Sequence, residues 1–203
     1  GSTWYSNSAG NAATGNNNTL FITLNNKDAT ALKLNGATNP SDVTVSASAH
    51  QGGEASSNTI LIKDSLLEHG TDASKRNLIT SAYVYSPIDV DRNDGETVAN
   101  FNQNRIIIEN SDIKSGDTHN IAIMGVYLVG SLGSNDDALS PFEANQNAVF
   151  IKGSDLDLNS LYVTYNVGTS TMKSSASDNV LWVEDSNLNV NFIKSKKASG
   201  ERA

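Results

Sequence analysis

Acidic side chains in two turn-rich stretches are the first candidates for chemistry in this sequence. The segment from Asp89 to Glu96 places oxygen donors at alternate positions, as in a calcium-binding loop. However, Gly95 comes one place later than an EF-hand requires, and the bidentate glutamate is missing. Asp136 and Asp137 are adjacent carboxylates of the kind that acid–base hydrolysis of a polysaccharide needs, but no Arg, Lys or His lies near them. We interpret both stretches as acidic turns.

The other patterns that signal an enzyme or a metal centre are missing. His50, His69 and His119 stand far apart, each in or next to a predicted loop, and none has the spacing of a metal ligand. Serine is abundant, yet there is no Gly-x-Ser-x-Gly motif, and the chain contains no cysteine. The sequence therefore predicts a protein without catalytic residues, bound metal or cofactor.

A repeated pattern of ten residues is the strongest feature of the chain. It reads Asn-x-aliphatic-x-aliphatic-x-(Asp/Asn/Gly)-Ser-x-(Leu/Ile), and its clear copies begin at Asn58, Asn104, Asn147 and Asn179, with a less regular copy at Asn18. The clear copies start 46, 43 and 32 residues apart, so the repeats differ in length while the pattern does not. Such self-similarity predicts an array in which each unit buries its apolar face against its neighbours.

Each copy of the pattern predicts a strand, a sharp corner and a second strand. The aliphatic residues two and four places after the Asn follow the period of a β-strand and should point inward. They are Ile60, Ile62, Ile106, Ile108, Val149, Ile151, Leu181 and Val183. The position six places after the Asn holds residue types that tolerate the left-handed backbone of a corner. These are Asp64, Asn110, Gly153 and Asp185.

The remaining parts of each repeat complete the fold prediction. Further strands are expected at 77–85, 120–129, 161–167 and 188–193. Turn-rich stretches fall at the same point of each repeat, at 46–57, 86–103, 130–146 and 168–178. We therefore predict an all-β fold, namely a right-handed single-stranded parallel β-helix of about five coils with loop insertions at one corner.

Three regions of the chain follow from this prediction. Residues 18–193 form the β-helix. Residues 1–17 are expected to hold a cloning scar and an N-terminal cap or disordered lead, and residues 194–203 are expected to form a basic C-terminal tail.

Alternation along the first strand also predicts two rows of outward side chains. The residues three places after each Asn are apolar and are called the outer row below: Phe21, Leu61, Ile107, Phe150 and Trp182. The residues five places after the Asn, beyond the first copy, are called the charged row: Lys63, Glu109, Lys152 and Glu184. The charged row is expected to help stacking and register. The outer row is either covered by the insertion loops or a contact surface for a second chain or receptor, and its members Leu61, Ile107, Phe150 and Trp182 are the predicted binding residues.

Tyrosine is concentrated in the second set of strands. Of the 6 tyrosines in the chain, those in or beside these strands are Tyr83, Tyr85, Tyr127, Tyr162 and Tyr165. Tyrosine is common at interfaces and at carbohydrate-binding faces, and it is also an ordinary strand residue. The sequence leaves both interpretations open.

The charge of the chain limits its partners. A net charge of −8 makes nucleic acid and anionic membrane surfaces poor partners. No apolar run approaches the roughly 20 residues that span a bilayer, so this segment is not expected to insert into a membrane.

The repeated pattern resembles the passenger domains of Gram-negative autotransporters, over about residues 18–193. The resemblance implies a right-handed parallel β-helix and a fragment of a protein exported to the bacterial cell surface. It also implies adhesion, self-association or biofilm formation, with sister passenger chains or a host surface protein or glycan as partners. Two alternatives remain: a polysaccharide-degrading β-helix of the lyase or glycoside hydrolase type, and a passive structural stalk.

Overall fold

The computed structural model describes residues 15–24, 31–36, 44–51, 54–85, 99–116, 120–129, 142–167 and 174–198. These residues form sixteen β-strands and no helix. The strands are β1 (Thr19–Thr23), β2 (Ala31–Leu34), β3 (Val45–Gln51), β4 (Thr59–Lys63), β5 (Leu66–His69), β6 (Asn77–Tyr85), β7 (Ala99–Asn100), β8 (Arg105–Glu109), β9 (Asp112–Lys114), β10 (Ile121–Val129), β11 (Phe142–Glu143), β12 (Ala148–Lys152), β13 (Asp155–Val167), β14 (Ser174–Ser175), β15 (Val180–Glu184) and β16 (Asn187–Ala198). Nothing helical in these ranges is long and apolar enough to cross a membrane.

The strands form three sheets, and the pairs within them are parallel. The first sheet has the order β1-β4-β8-β12-β15 and holds the first strand of each repeat. The second has the order β2-β5-β9-β13-β10-β6-β3, with β16 paired to β13. The third consists of the short strands β7, β11 and β14. The prediction of an all-β fold built from parallel strands is confirmed.

Equivalent positions of successive repeats face each other in the first sheet. Ile60 pairs with Ile106, Ile106 with Val149, and Val149 with Leu181. The unequal lengths of the repeats are therefore absorbed outside this sheet.

The predicted inward residues of the first sheet are largely buried. Ile60, Ile62, Ile106, Ile108, Val149 and Ile151 are fully buried. The prediction was wrong for Val183, which is 41% exposed, and Leu181 is only partly buried. Both lie on β15, which in the described part of the chain pairs with β12 alone, so no following strand covers their inner face.

The predicted corners have the expected backbone. The φ angles are 48° at Asp64, 46° at Asn110, 60° at Gly153 and 48° at Asp185, all in the left-handed region. A second left-handed position, which we did not predict, lies directly before each motif Asn. Its residues are Asn17, Ser57, Gln103, Gln146 and Asp178, with φ between 56° and 61°.

The second set of strands was predicted in outline. Strand β6 has the predicted bounds, whereas β13 and β16 begin earlier than expected, at Asp155 and Asn187. Strand β16 also continues to Ala198, through the first part of the expected tail. The turn-rich interpretation of 46–57 was wrong for its first half, because β3 covers Val45–Gln51 and pairs with β6. The segment alternates Ser and Ala, and its serines suggested a turn. In the structure Ala47 is buried in the core.

A third buried position per repeat was also missed. It lies three places before the motif Asn and is fully buried at Ala55, Phe101 and Ala144. These side chains form a second core cluster with residues from the ends of β6 and β10.

The stretches 86–98, 130–141 and 168–173 occupy equivalent places in successive repeats. Each follows one of the paired strands β6, β10 and β13, and each precedes one of the paired strands β7, β11 and β14. These stretches lie outside the described residues, and so do the calcium-like segment, Asp136 and Asp137.

Candidate binding surface

The outer row forms one line of paired positions across the first sheet. Leu61 pairs with Ile107, Ile107 with Phe150, and Phe150 with Trp182. Trp182 is 56% exposed, and Phe21 at the other end of the row is 54% exposed. The three residues between them are partly buried, and none belongs to a buried core cluster. The row is therefore an accessible apolar strip on the outside of the sheet.

A shallow groove of about 280 Å³ follows the C-terminal half of this row. Its apolar side is formed by Ile107, Phe150 and Trp182, and its polar side by charged-row residues. The Trp182 side chain lies beside the Glu184 carboxylate and contributes, less than Lys152 does, to lowering the pKa of that carboxyl group. The most exposed aromatic ring of the groove therefore lies next to the charged row.

The charged row has the predicted alternation and lies beside the outer row. Lys63 Nζ is 3.8 Å from Glu109 Oε2, and Lys152 Nζ is 2.8 Å from Glu184 Oε1. The closer pair is coupled electrostatically: the hydrogen bond and charge of Lys152 hold the pKa of Glu184 below its ordinary value. The same hydrogen bond raises the pKa of Lys152. The predicted outward row is confirmed, but only two of its three neighbouring pairs are ion pairs: in the described structure none joins Glu109 to Lys152.

Two ladders of polar side chains hold these rows in register. The motif Asn side chains form the first: Oδ1 of Asn58, Asn104, Asn147 and Asn179 accepts a hydrogen bond from the backbone N–H of the motif Asn one repeat earlier, at 2.9–3.0 Å. The motif Ser hydroxyls form the second: Oγ of Ser111, Ser154 and Ser186 accepts from the backbone N–H of the preceding motif Ser, at 3.0–3.1 Å. We did not predict either ladder, although the Asn and Ser recur in all four clear copies.

The tyrosines of the second sheet form a separate cluster on its outer face. The rings of Tyr83 and Tyr127 have centroids 5.4 Å apart, as do those of Tyr127 and Tyr165, and Tyr162 lies 4.8 Å from Tyr165. Burial, with smaller contributions from Tyr83 and Tyr165, raises the pKa of Tyr127 to about 12. The side chain of Tyr85 lies outside the described residues.

The histidines do not form a site in the described structure. His69 accepts at Nδ1 from the side-chain amide of Asn77 at 2.7 Å and contacts the Asp72 carbonyl oxygen through Nε2 at 3.0 Å, which is a structural role. The side chain of His50 and all of His119 fall outside the described residues. Across the described ranges, no three His, Asp or Glu side chains lie close enough to hold a metal ion.

The geometry of the first sheet suits binding better than chemistry, because an accessible apolar strip and an alternating charged row run side by side. The apolar strip can bury a partner's apolar side chains, and the charged row can pair with a partner's charges. No protein-family model matches the chain, and neither a curated protein nor a solved structure matches it.

Proposed function

We propose that this chain is a non-catalytic segment of a bacterial surface adhesin of the autotransporter passenger type, which acts outside the cell through self-association or host attachment. The observation that carries the proposal is the outer row beside the charged row, on one face of one sheet. This function is consistent with the sequence resemblance and with the exposed aromatic end of the row at Trp182.

The architecture proposed for this segment is a right-handed parallel β-helix of about five coils. Its support is that every strand pair is parallel and that the first sheet gains one strand per repeat in constant register. The right hand follows the general preference of parallel crossover connections.

The order of charges favours a second copy of the chain as the partner. The charged row reads Lys, Glu, Lys, Glu from one end and Glu, Lys, Glu, Lys from the other, so two copies facing each other with reversed direction are complementary. In that arrangement Lys63 of one copy lies opposite Glu184 of the other. Glu109 lies opposite Lys152 in the same way, while the outer rows pack together. A two-fold interface of this kind is closed and self-complementary.

The apolar part of the proposal is tested by replacing Phe150 and Trp182 together with Ser. Because these side chains are accessible, the variant should keep its folded stability but lose self-association in sedimentation and aggregation of bacteria that display the segment. Phe192→Ser is the matched control, since Phe192 is 57% exposed on a different sheet. If the double variant unfolds, the outer row is core and the proposed surface is wrong.

A charge exchange separates contacts between chains from contacts within one chain. Glu109→Lys or Lys152→Glu alone places like charges opposite each other between copies and should weaken association. The double exchange restores complementarity between reversed copies, although it places like charges side by side within each chain. Recovery of association in the double variant supports the reversed dimer. Association that is unchanged in all three variants contradicts the reversed dimer. The absence of self-association in wild type favours a passive stalk, and turnover of a glycan or ester by the purified segment contradicts the non-catalytic assignment.

A further inference from the structure

A second groove, of about 280 Å³, lies on the outer face of the second sheet and is separate from the outer row. It is bounded by residues of β6, β10, β13 and β16 and by the residues that precede β6 and β10. Its lining residues are of four kinds: aromatic rings, other apolar side chains, amides and hydroxyls, and one guanidinium. Its volume is near the lower end of the range for ligand sites, about 300–1,000 Å³, so it suits a ligand of one or two rings.

The aromatic side of the groove is held rigidly before any ligand arrives. Tyr127 is packed between Tyr83 and Tyr165, with ring centroids 5.4 Å apart on each side. Tyr162 packs on Tyr165 at 4.8 Å, and Phe192 stands 57% exposed at the edge. Preorganised aromatic rings provide contact area at little entropic cost. Since Tyr127 and Tyr162 are themselves buried, Phe192 is the ring against which a ligand with an apolar ring face can lie.

The polar groups of the groove suit a ligand that carries many hydroxyl groups. The hydroxyls of Tyr127 and Tyr162 have no hydrogen-bond partner among the described residues. Asn120 and Asn159, both partly buried, add side-chain amides to the lining. Hydroxyl groups both donate and accept hydrogen bonds, so they can satisfy phenol and amide groups together.

The charge of the groove differs from that of the whole chain. The chain has 22 acidic against 14 basic residues, yet the groove is lined by Arg76 and by no Asp or Glu. Arg76 is exposed and has no ion-pair partner among the described residues. A guanidinium in this position favours a carboxylate, which it can bind through two parallel hydrogen bonds.

We propose that this groove binds an acidic glycan, with a pyranose ring against Phe192, its hydroxyls near the phenol groups of Tyr127 and Tyr162, and its carboxylate on Arg76. The apolar C–H face of the sugar lies on the Phe192 ring, and its hydroxyls reach the phenol and amide groups. This site lies on a different sheet from the outer row, so it adds a ligand class to the molecule whether or not the chain self-associates.

The test is a calorimetric titration of the full chain with two disaccharides that differ only in a terminal glucuronic acid or glucose. The acidic sugar should bind about tenfold more tightly, as expected for one charge-assisted contact. Arg76→Gln should reduce its affinity to that of the neutral sugar. Phe192→Ser and Tyr162→Phe should weaken binding of both sugars about fivefold or more, because they remove a ring face and a hydroxyl.

Two controls make the result specific. Phe21→Ser removes an aromatic ring of similar exposure, 54%, from the other sheet and should leave both affinities unchanged. The Phe150→Ser, Trp182→Ser variant should also bind both sugars normally, so failure of self-association and failure of glycan binding are distinguishable. The absence of saturable binding, equal affinities for the two sugars, or equal effects of Phe21→Ser and Phe192→Ser would each overturn the proposal.

Discussion

Asn104 holds the main chain and the side chain of Asn58 at once, because its Oδ1 accepts hydrogen bonds from the backbone N–H and from the side-chain amide of Asn58, each at 3.0 Å. Both residues are fully buried. The amide of Asn104 in turn donates to Asn147 Oδ1 at 3.1 Å and to the Ala55 carbonyl oxygen at 2.8 Å. Each motif Asn thus satisfies buried polar groups of a neighbouring repeat, and a shift of one residue would leave them unpaired.

The first prediction concerns Asn104→Ala. The change leaves the buried N–H and amide of Asn58 and the Ala55 carbonyl without their partner, and each such group costs about 1–3 kcal/mol, in a non-additive way. We expect the free energy of unfolding in urea to fall by about 2–4 kcal/mol. Asn189→Ala is the control, because Asn189 is exposed and makes one side-chain bond, to Asp157 at 3.0 Å. Equal losses of unfolding free energy in the two variants would show that the Asn ladder adds nothing to folding stability.

The second prediction concerns the corner at Gly153, where φ is 60°. A Cβ built there meets no atom closer than Asn110 N at 4.0 Å, so space is available and only the backbone limits the residue type. Gly153→Asp reproduces the residue of two other corners and should change the free energy of unfolding by less than about 1 kcal/mol. Gly153→Val should lower it by about 1–2 kcal/mol, because a β-branched residue is strained at positive φ. Similar unfolding midpoints for Val and Asp would contradict this account.

Local alternation and residue types made the first sheet predictable. The aliphatic pairs, the left-handed corners and both outward rows repeat at fixed distances from the motif Asn. An assignment made for one copy of the pattern therefore applies to the other copies. The sequence could not show that Val183 is exposed, because burial there depends on whether another strand covers β15. The sequence shows that the motif Asn and Ser recur in every clear copy. Their hydrogen-bond partners can be identified only once the strands are paired.

The tyrosine groove could not be derived from alternation. Ile121 and Ile123 point into the core, and a strict period of two would also place Tyr127 there. The structure breaks this period at Gly125, so Val126 is buried in the second core cluster while Tyr127 joins the outer cluster. A Cβ at Gly125 would lie 2.4 Å from the Val163 carbonyl oxygen, so the break depends on close approach of β13. Contacts of this kind depend on tertiary packing.

The third prediction concerns the pH dependence of the Lys152–Glu184 pair. Since Lys152 lowers the pKa of Glu184 in the folded state, the pair's contribution is present above the ordinary glutamate pKa of 4.5 and is lost as the pH falls through the lowered value. Wild type should therefore exceed Glu184→Gln in Tm at about pH 7, and the difference should shrink as the pH falls below the ordinary glutamate pKa of 4.5. Both groups are exposed, so about 1 M salt at neutral pH should also reduce the difference. A difference that grows in acid would contradict the prediction.

The fourth prediction is that Glu109→Lys costs little folding stability. The Lys63–Glu109 distance is 3.8 Å and both side chains are more than 40% exposed, so water screens the interaction. The free energy of unfolding should fall by about 1 kcal/mol or less in urea denaturation. Failure of the variant to fold would mean that the charged row is a buried network. Because the same change is expected to weaken self-association, both properties should be measured on one preparation.

The fifth prediction concerns Tyr127, whose pKa is raised to about 12 by burial and by its tyrosine neighbours. In the unfolded chain this phenol ionises near the ordinary value of 10.0, so the folded state keeps a proton that the unfolded state has lost. Stability from this group is therefore complete below pH 10 and is lost progressively as the pH rises towards 12. Tyr127→Phe keeps the ring between Tyr83 and Tyr165 but removes the titrating hydroxyl. Urea unfolding at a series of alkaline pH values should show a steeper loss of stability for wild type than for the variant, with similar stabilities near neutral pH. Parallel losses for the two proteins would mean that Tyr127 ionises as readily folded as unfolded, and that the ring is not held in the buried stack.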